Sequence, residues 1–253
     1  MFIDTHCHIS KEDYEDIDKV INDAYDNNVK YLVVSGWDKN SIKESIEIAN
    51  NHKNIYLSLG YHPSEARTTT DEDLKELEEI IKNNNKVIAI GEIGLDYHWD
   101  KDNKEEQKEL FKKQIEIAKR NNLPLVIHTR DAFQDTYDIL KEANYKGVIH
   151  CFSGNEENAK MYTSIGFYIG IGGVITFKNT NLKETIKTIP IDRIVLETDS
   201  PYLAPTPYRG EKNESKYIPI IAQEIANQLG VSIEEIGKIT TTNASCLFNK
   251  DFN

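Results

Sequence analysis

The chain opens with Phe2-Ile3-Asp4-Thr5-His6-Cys7-His8, a short β-prone run that closes on two histidines one residue apart. In an extended strand, residues two apart share a face. His6 and His8 therefore point the same way, while Cys7 points toward whatever covers the strand and reads as a small buried hydrophobe. Five more segments end an apolar run on a ligand-type residue: Gly60-Tyr61-His62-Pro63, Ile90-Gly91-Glu92-Ile93-Gly94, Val126-Ile127-His128-Thr129-Arg130, Val148-Ile149-His150-Cys151-Phe152 and Leu196-Glu197-Thr198-Asp199-Ser200. A loop and a helical pattern follow each one. Imidazoles and carboxylates placed repeatedly at strand C-termini are the arrangement of a metal site at the top of a β/α barrel.

Working outward from these segments, apolar runs predict eight strands, near residues 2–8, 31–35, 55–60, 87–92, 124–128, 147–151, 168–173 and 193–198. Helical patterns lie between them, near 13–28, 40–51, 71–84, 103–121, 131–144, 155–165 and 179–188, and two more follow near 214–229 and 232–248. Nearly continuous apolar strands suit a parallel sheet covered on both faces. Strict β/α alternation gives right-handed crossovers, and eight such units predict closure into a (β/α)8 TIM-type barrel with its site at the C-terminal face. A doubly wound open sheet is the competing architecture. It would not bring the first and last strands together, and His6, His8 and Asp199 need that adjacency to share a site. Thr70-Asp71-Glu72-Asp73 puts acid in a helical first turn, where the helix dipole favours it. Pro124 stops a helix before the fifth strand. Residues 1–253 read as a single hydrolase barrel domain, close to the roughly 250 residues typical of this architecture.

Hydrophobic residues make up 39% of the chain and charged residues 28%, as in a soluble domain with a sizeable core. The net charge of −12 argues against broad non-specific coating of nucleic acid, which depends on neutralising phosphates. It leaves room for a nuclease that engages its substrate weakly and transiently, because bound cations and a few basic residues can reverse the potential inside a cleft. No basic segment with an apolar stretch opens the chain, and no run nears the roughly 18 apolar residues of a membrane span. The three cysteines form no readable disulfide framework. A cytoplasmic monomer with no membrane contact and no obligate protein partner is the expectation.

The ligand-type residues sort into two sets. His6, His8, Glu92 and Asp199 suit one divalent cation; Glu92, His128 and His150 suit a second, with Glu92 bridging. Imidazole admits Zn, Mn, Fe or Ni, and carboxylate admits Mg or Mn, so the element stays open. Two cations so placed serve in-line displacement at phosphorus. His62 is one ligand too many, which leaves it to contact a substrate phosphate or relay a proton. Glu197 shares the face of Asp199 and is expected to orient a metal ligand or the attacking water. Arg130, Arg209 and Lys212 are the candidate phosphate contacts. Tyr61, Tyr97, Trp99, Phe152, Tyr202 and Tyr208 fall on top-face loops, where aromatics can stack on bases. His52 and His98 follow no strand-end logic; His52 reads as a surface residue and His98 as a loop residue near the site.

Taken together, Thr5-His6-Cys7-His8, Gly60-Tyr61-His62-Pro63, Gly91-Glu92-Ile93-Gly94-Leu95-Asp96-Tyr97, Ile149-His150-Cys151-Phe152-Ser153-Gly154 and Glu197-Thr198-Asp199-Ser200-Pro201-Tyr202-Leu203 resemble the TatD family of metal-dependent deoxyribonucleases. The resemblance spans essentially the whole chain, including Arg209-Gly210, Asn213 and the terminal Thr242-Asn243-Ala244 helix. It implies a TIM-type barrel, divalent metals and hydrolysis of DNA phosphodiesters, often from a 3′ end. On that reading Glu92 bridges, Asp199 is ligand and general base, His62 and Arg209 hold non-bridging oxygens, and Glu197 is the alternate acid/base. Two rival readings stand beside it. One is ester or amide hydrolysis of amidohydrolase type, such as aminoacyl-RNA deacylation. The β1 H-x-H and β8 Asp allow that reading, but the bridging lysine of many such enzymes is replaced here by Glu92. The other is a binding scaffold with a structural metal.

Overall fold

The computed structural model describes residues 1–252. Eight strands pair in sequence order, all parallel: β1 (Phe2–Cys7), β2 (Val29–Gly36), β3 (Ile55–Leu59), β4 (Val87–Asp96), β5 (Leu125–Arg130), β6 (Gly147–Ile149), β7 (Tyr168–Ile171) and β8 (Ile194–Leu196). Between them run α1 (Ile17–Asp26), α2 (Lys39–Asn51), α3 (Asp71–Asn83), α4 (Lys104–Asn121), α5 (Phe133–Ala143), α6 (Glu156–Ser164) and α7 (Leu182–Thr185), and then α8 (Ile218–Leu229) and α9 (Ile233–Phe248). The result is a nearly closed TIM-type (β/α)8 barrel. The β1/β8 seam is closed just beyond the regular end of β8. There Asp199 N donates to His6 O at 3.0 Å and His8 N donates to Ser200 O at 2.7 Å. That seam sets His6, His8 and Asp199 side by side.

Local chemistry sets the helix ends. Asp38, Thr70 and Asn155 close capping boxes at α2, α3 and α6, each satisfying otherwise unpaired first-turn amides. α4, α5, α8 and α9 stop on left-handed Asn122, Asn144, Gly230 and Asn249, residues that tolerate that conformation. Two sequence-based boundaries move. The helix expected over 179–188 is only the one-turn α7 followed by a 3-10 turn, Ile186–Thr188. β4 runs on past Glu92 to Asp96, because Ile93 and Leu95 extend the buried apolar run.

The core has two compartments. An outer layer between sheet and helices holds Leu32, Val34, Leu57, Ile90, Ile127 and Leu196, and Cys7 lies there as expected. The barrel interior holds Ile3, Val33, Ala89, Val126, Val148 and Val195. Its lower mouth is plugged by Phe248 and the fully buried Phe252, whose ring packs against Tyr31 and Tyr56 at 5.1 and 5.7 Å. With the bottom sealed by apolar side chains, the polar ends of the same strand rows collect at the top. Val126 leads to His128, Val148 to His150, and Val195 to Glu197 and Asp199. Among the described residues no helix is long and apolar enough to cross a membrane.

Candidate active site

Glu92 stands at the centre, buried to 5% exposure. Its two oxygens face different partners. Oε2 is 3.5 Å from the Nε2 atoms of both His6 and His8. Oε1 is 2.7 Å from His128 Nδ1 and 2.8 Å from His150 Nε2. Asp199 Oδ1 completes the first group, 3.6 Å from His6 Nε2 and from His8 Nε2. His6 stacks on His150 with ring centroids 4.1 Å apart, which joins the two groups. The structure therefore gathers His6, His8, Glu92, His128, His150 and Asp199 in one cluster.

This cluster suits cations. His8 Nδ1 faces Ser35 O at 3.3 Å, and as a donor there it leaves the Nε2 lone pair in the site. His128 Nε2 faces Asp96 Oδ2 at 2.9 Å, which leaves Nδ1 as a lone pair aimed at the Glu92 carboxylate. His6 and His8 bring their Nε2 atoms within 3.2 Å of each other. Lone pairs and carboxylate oxygens that converge in this way need positive charge among them. In the protein alone, protons supply it. Burial would raise the Glu92 carboxyl, but His150, His128 and His6 hold it well below the usual carboxylate range. Burial would lower His128, but Asp96 and Glu92 lift it to about 9. Four groups of three side chains bring ligand atoms within 4.8 Å of one another: His6–His8–Glu92, His6–His150–Asp199, Glu92–His128–His150 and His62–Asp96–His128.

His62 sits at the edge, its Nε2 3.9 Å from Glu92 Oε1 and its ring 4.6 Å from that of His128. Ser64 N donates to His62 Nδ1 at 3.1 Å, which puts the proton on Nε2, the atom that faces the site. Burial pushes its pKa down to about 4. The ring is thus a neutral donor near pH 7.

Glu197 is fully buried behind His150, with its Oε1 3.9 Å from His150 Nδ1 and receiving a hydrogen bond from Cys151 N. Burial raises its carboxyl to about 8. A Cβ on Gly170 would collide with this carboxylate, so β7 leaves the room that Glu197 needs. Of the roles expected for Glu197, orienting a ligand histidine fits this placement and direct contact with water or substrate does not.

The rim differs more from expectation. Arg130 lies over Trp99, 5.4 Å from the ring centroid, and Arg209 lies over Phe177 at 3.8 Å while donating to Ala204 O at 3.2 Å. Among the described residues neither guanidinium pairs with the central cluster. Lys212 is engaged by the Asp13 carbonyl and the Tyr14 ring. Tyr61, Tyr97 and Phe152 are buried and Tyr208 stacks on Tyr217, so they are packing residues. Trp99 and Tyr202 are exposed, 78% and 61%, and remain available for stacking. His52 pairs with Asp18 and His98 with Asp131.

Two carboxylates with clear structural roles were not singled out from sequence. Asp96 backs His128. Asp4, wholly buried, accepts from Thr198 N at 2.9 Å, Thr198 Oγ1 at 2.6 Å and His6 N at 3.3 Å, and so ties the segment before Asp199 to β1. The usable signal for Asp4 was its spacing two residues before His6 in an otherwise apolar run. Asn213, also buried, donates to Thr198 O at 2.8 Å and Tyr202 O at 2.7 Å and holds the same segment from the other side.

The family model described as TatD related DNase matches residues 3–249. The metal-dependent hydrolase YabD of Bacillus subtilis is 44% identical, with 98% of this chain and 99% of that protein covered. The metal-dependent hydrolase YcfH of Escherichia coli K12 is 36% identical, with 98% and 96% covered. Among solved structures, the TatD homolog YJJV of Escherichia coli superposes with a TM-score of 0.92 at 28% identity, covering 99% of this chain and 98% of that one. A hydrolase of the TatD family from Entamoeba histolytica gives 0.88 at 27% identity, covering 98% and 97%. The chain therefore belongs to the TatD-related DNase family and is a metal-dependent hydrolase.

Proposed function

We propose that this hydrolase cleaves phosphodiester bonds of DNA, working from a 3′ end, with two divalent cations. His6, His8, Glu92 and Asp199 would hold one; Glu92, His128 and His150 would hold the other. The observation that carries this reading is the division of Glu92, whose Oε2 faces His6 and His8 at 3.5 Å and whose Oε1 faces His128 and His150 at 2.7 and 2.8 Å. Cations bound there would supply Lewis-acid stabilisation of phosphoryl oxygens and a more acidic water, the contributions that suit in-line displacement at phosphorus.

The protein's own residues do the rest. His62 presents a neutral Nε2–H toward the site and donates it to a non-bridging phosphoryl oxygen; with its pKa pushed down to about 4 by burial, it stays a donor across neutral pH. Asp199 lies at the mouth of the cluster with its side chain 14% exposed, and accepts the proton of the attacking water. General-base assistance of this kind is worth about 10²–10⁴ in rate. Arg130 and Arg209, now resting on Trp99 and Phe177, offer guanidinium edges to flanking phosphates, and Trp99 and Tyr202 offer faces to bases. The net charge of −12 makes DNA a transient partner rather than a tightly held one. The family name supports DNA as substrate. Three unpaired cysteines among the described residues fit a reducing compartment.

The test is cleavage of end-labelled single-stranded and duplex DNA by metal-stripped protein resupplied with Mg, Mn or Zn, alongside Glu92→Ala. A ladder that needs both metal and Glu92 is expected, shortening from the 3′ end. No cleavage with any metal, together with turnover of an ester or amide substrate, would overturn the DNA reading.

A further inference from the structure

Asp96 uses both carboxylate oxygens, in opposite directions. It is 5% exposed at the last position of β4. Oδ2 meets His128 Nε2 at 2.9 Å. Oδ1 accepts from the backbone amides of His98 at 2.9 Å and Trp99 at 3.4 Å, which open the β4–α4 loop. The backbone that carries this carboxylate is itself well anchored. Buried Gln107 of α4 accepts from Asp96 N at 2.8 Å and donates to Asp96 O at 2.9 Å. Gly94, at φ +144°, lets β4 press against the His128 carbonyl, where a Cβ would collide. The strand pair thus fixes the distance between Asp96 and His128.

We propose that Asp96 is a positioning residue that sets the tautomer of His128 for the second cation and ties the Trp99 loop to the same point. A neutral imidazole carries one proton. His128 has a carboxylate at each nitrogen, Asp96 at Nε2 and Glu92 at Nδ1. With the proton on Nε2 and donated to Asp96, Nδ1 is left as the lone pair beside Glu92 and His150. With the opposite tautomer, an N–H would point at the cation's place and exclude it. Carboxylates behind ligand histidines tune affinity in this way, and their loss typically costs about 10–100-fold. The inference rests on the two-cation reading of the site and is independent of DNA as substrate. His62, Asp96 and His128 also lie close enough to form a ligand group of their own. Asp96 serves His128 instead, because its second oxygen is already spent on the loop amides.

Two substitutions separate the roles. Asp96→Asn keeps shape and one oxygen. The loop amides need that oxygen, so the new NH2 faces His128 Nε2 and demands the wrong tautomer. Asp96→Ala removes both contacts. Metal-stripped full-length wild type and both variants would be titrated calorimetrically with Mn²⁺. The expected result is two sites in wild type; in both variants one site is unchanged and the other weakened at least tenfold, with Asn no better than Ala. A packing role would instead leave Asn near wild type, and that result overturns the proposal. Three sites in wild type falling to two in the variants would make Asp96 a ligand and also overturn it. Fewer than two sites in wild type would overturn the two-cation reading and this inference with it. ¹⁵N-histidine spectra of the zinc-loaded proteins read the tautomer directly, including where the Ala variant folds poorly. His128 protonated at Nε2 in wild type and changed in Asp96→Asn is expected; the same tautomer in both refutes the assignment.

Discussion

Replacing Asp4 with alanine should weaken the whole barrel and not only its site. Asp4 is wholly buried and holds three donors: Thr198 N at 2.9 Å, Thr198 Oγ1 at 2.6 Å and His6 N at 3.3 Å. The two bonds from Thr198 cross the β1/β8 seam, where the barrel is completed by a few loop contacts instead of a regular ladder. Alanine leaves three buried donors without an acceptor, at about 1–3 kcal/mol each. Part of that loss is offset, because burial of the carboxylate is itself unfavourable and lifts its pKa from 3.8 to about 6, equivalent to about 3 kcal/mol at neutral pH. At the middle of that range, about 2 kcal/mol per donor, the net cost is about 3 kcal/mol. For a chain of this size each kcal/mol moves the Tm by about 2–4 °C, so the melting point should fall by about 5–15 °C. Urea and thermal unfolding followed by circular dichroism, on metal-stripped protein, read this directly. Thr198→Val, which removes the shortest of the three bonds together with the weaker one from Ser200 N at 3.2 Å, should fall between wild type and Asp4→Ala. An Asp4→Ala protein within about 0.5 kcal/mol of wild type would refute the idea that this carboxylate closes the seam.

The α3–α4 ion pair gives a pH-dependent prediction. Glu78 is held down to about 2, first by Arg120, with Lys82 and Asn121 also lowering it against the opposing effect of burial. A carboxyl whose folded pKa is depressed adds stability above its unfolded value near 4.5 and loses it as pH falls toward 2. Arg120 is 54% exposed, so screening reduces the effect. Glu78→Gln should cost about 1 kcal/mol by urea unfolding at pH 7 and nothing measurable near pH 2.5; an equal cost at both would contradict it. Gly170→Ala should displace Glu197 and overpack the barrel by about 1–3 kcal/mol, with looser metal binding at the His150 side; unchanged Mn²⁺ affinity and Tm would show that the cradle is not needed. His62→Ala should lower kcat/KM on DNA by about 10²-fold, the scale for removing a donor to developing charge, while cation content stays the same. In wild type the pH–rate profile should show no inflection from His62 between pH 6 and 8; an inflection that vanishes in His62→Ala would mean it titrates there.

The barrel was legible because each strand carries its own punctuation. Apolar runs such as Val126-Ile127 and Val148-Ile149 end on a histidine, and spacing by two puts His128 on the inner row of Val126 and His150 on that of Val148. The central cluster follows from closure alone, which brings His6, His8, Glu92, His128, His150 and Asp199 together. Asp96 escaped because β4 was ended at Glu92. Ile93 and Leu95 carry the strand four residues further, and only then does a carboxylate arrive behind His128. Rim residues were hardest to read. A loop aromatic can turn inward or outward with no periodicity to decide it, so Tyr61 and Trp99 looked alike in sequence and differ completely in exposure. Arg209 similarly depended on Phe177, which is distant in the chain and has no pattern linking the two.

The central claim is that Glu92 joins two cation sites by giving one oxygen to each. Anomalous diffraction from crystals soaked in Mn²⁺ tests it most directly. Two peaks are expected, one among His6, His8, Asp199 and Glu92 Oε2 and one among His128, His150 and Glu92 Oε1, both lost in Glu92→Ala. A single peak, or two peaks that persist without the Glu92 carboxylate, would contradict it.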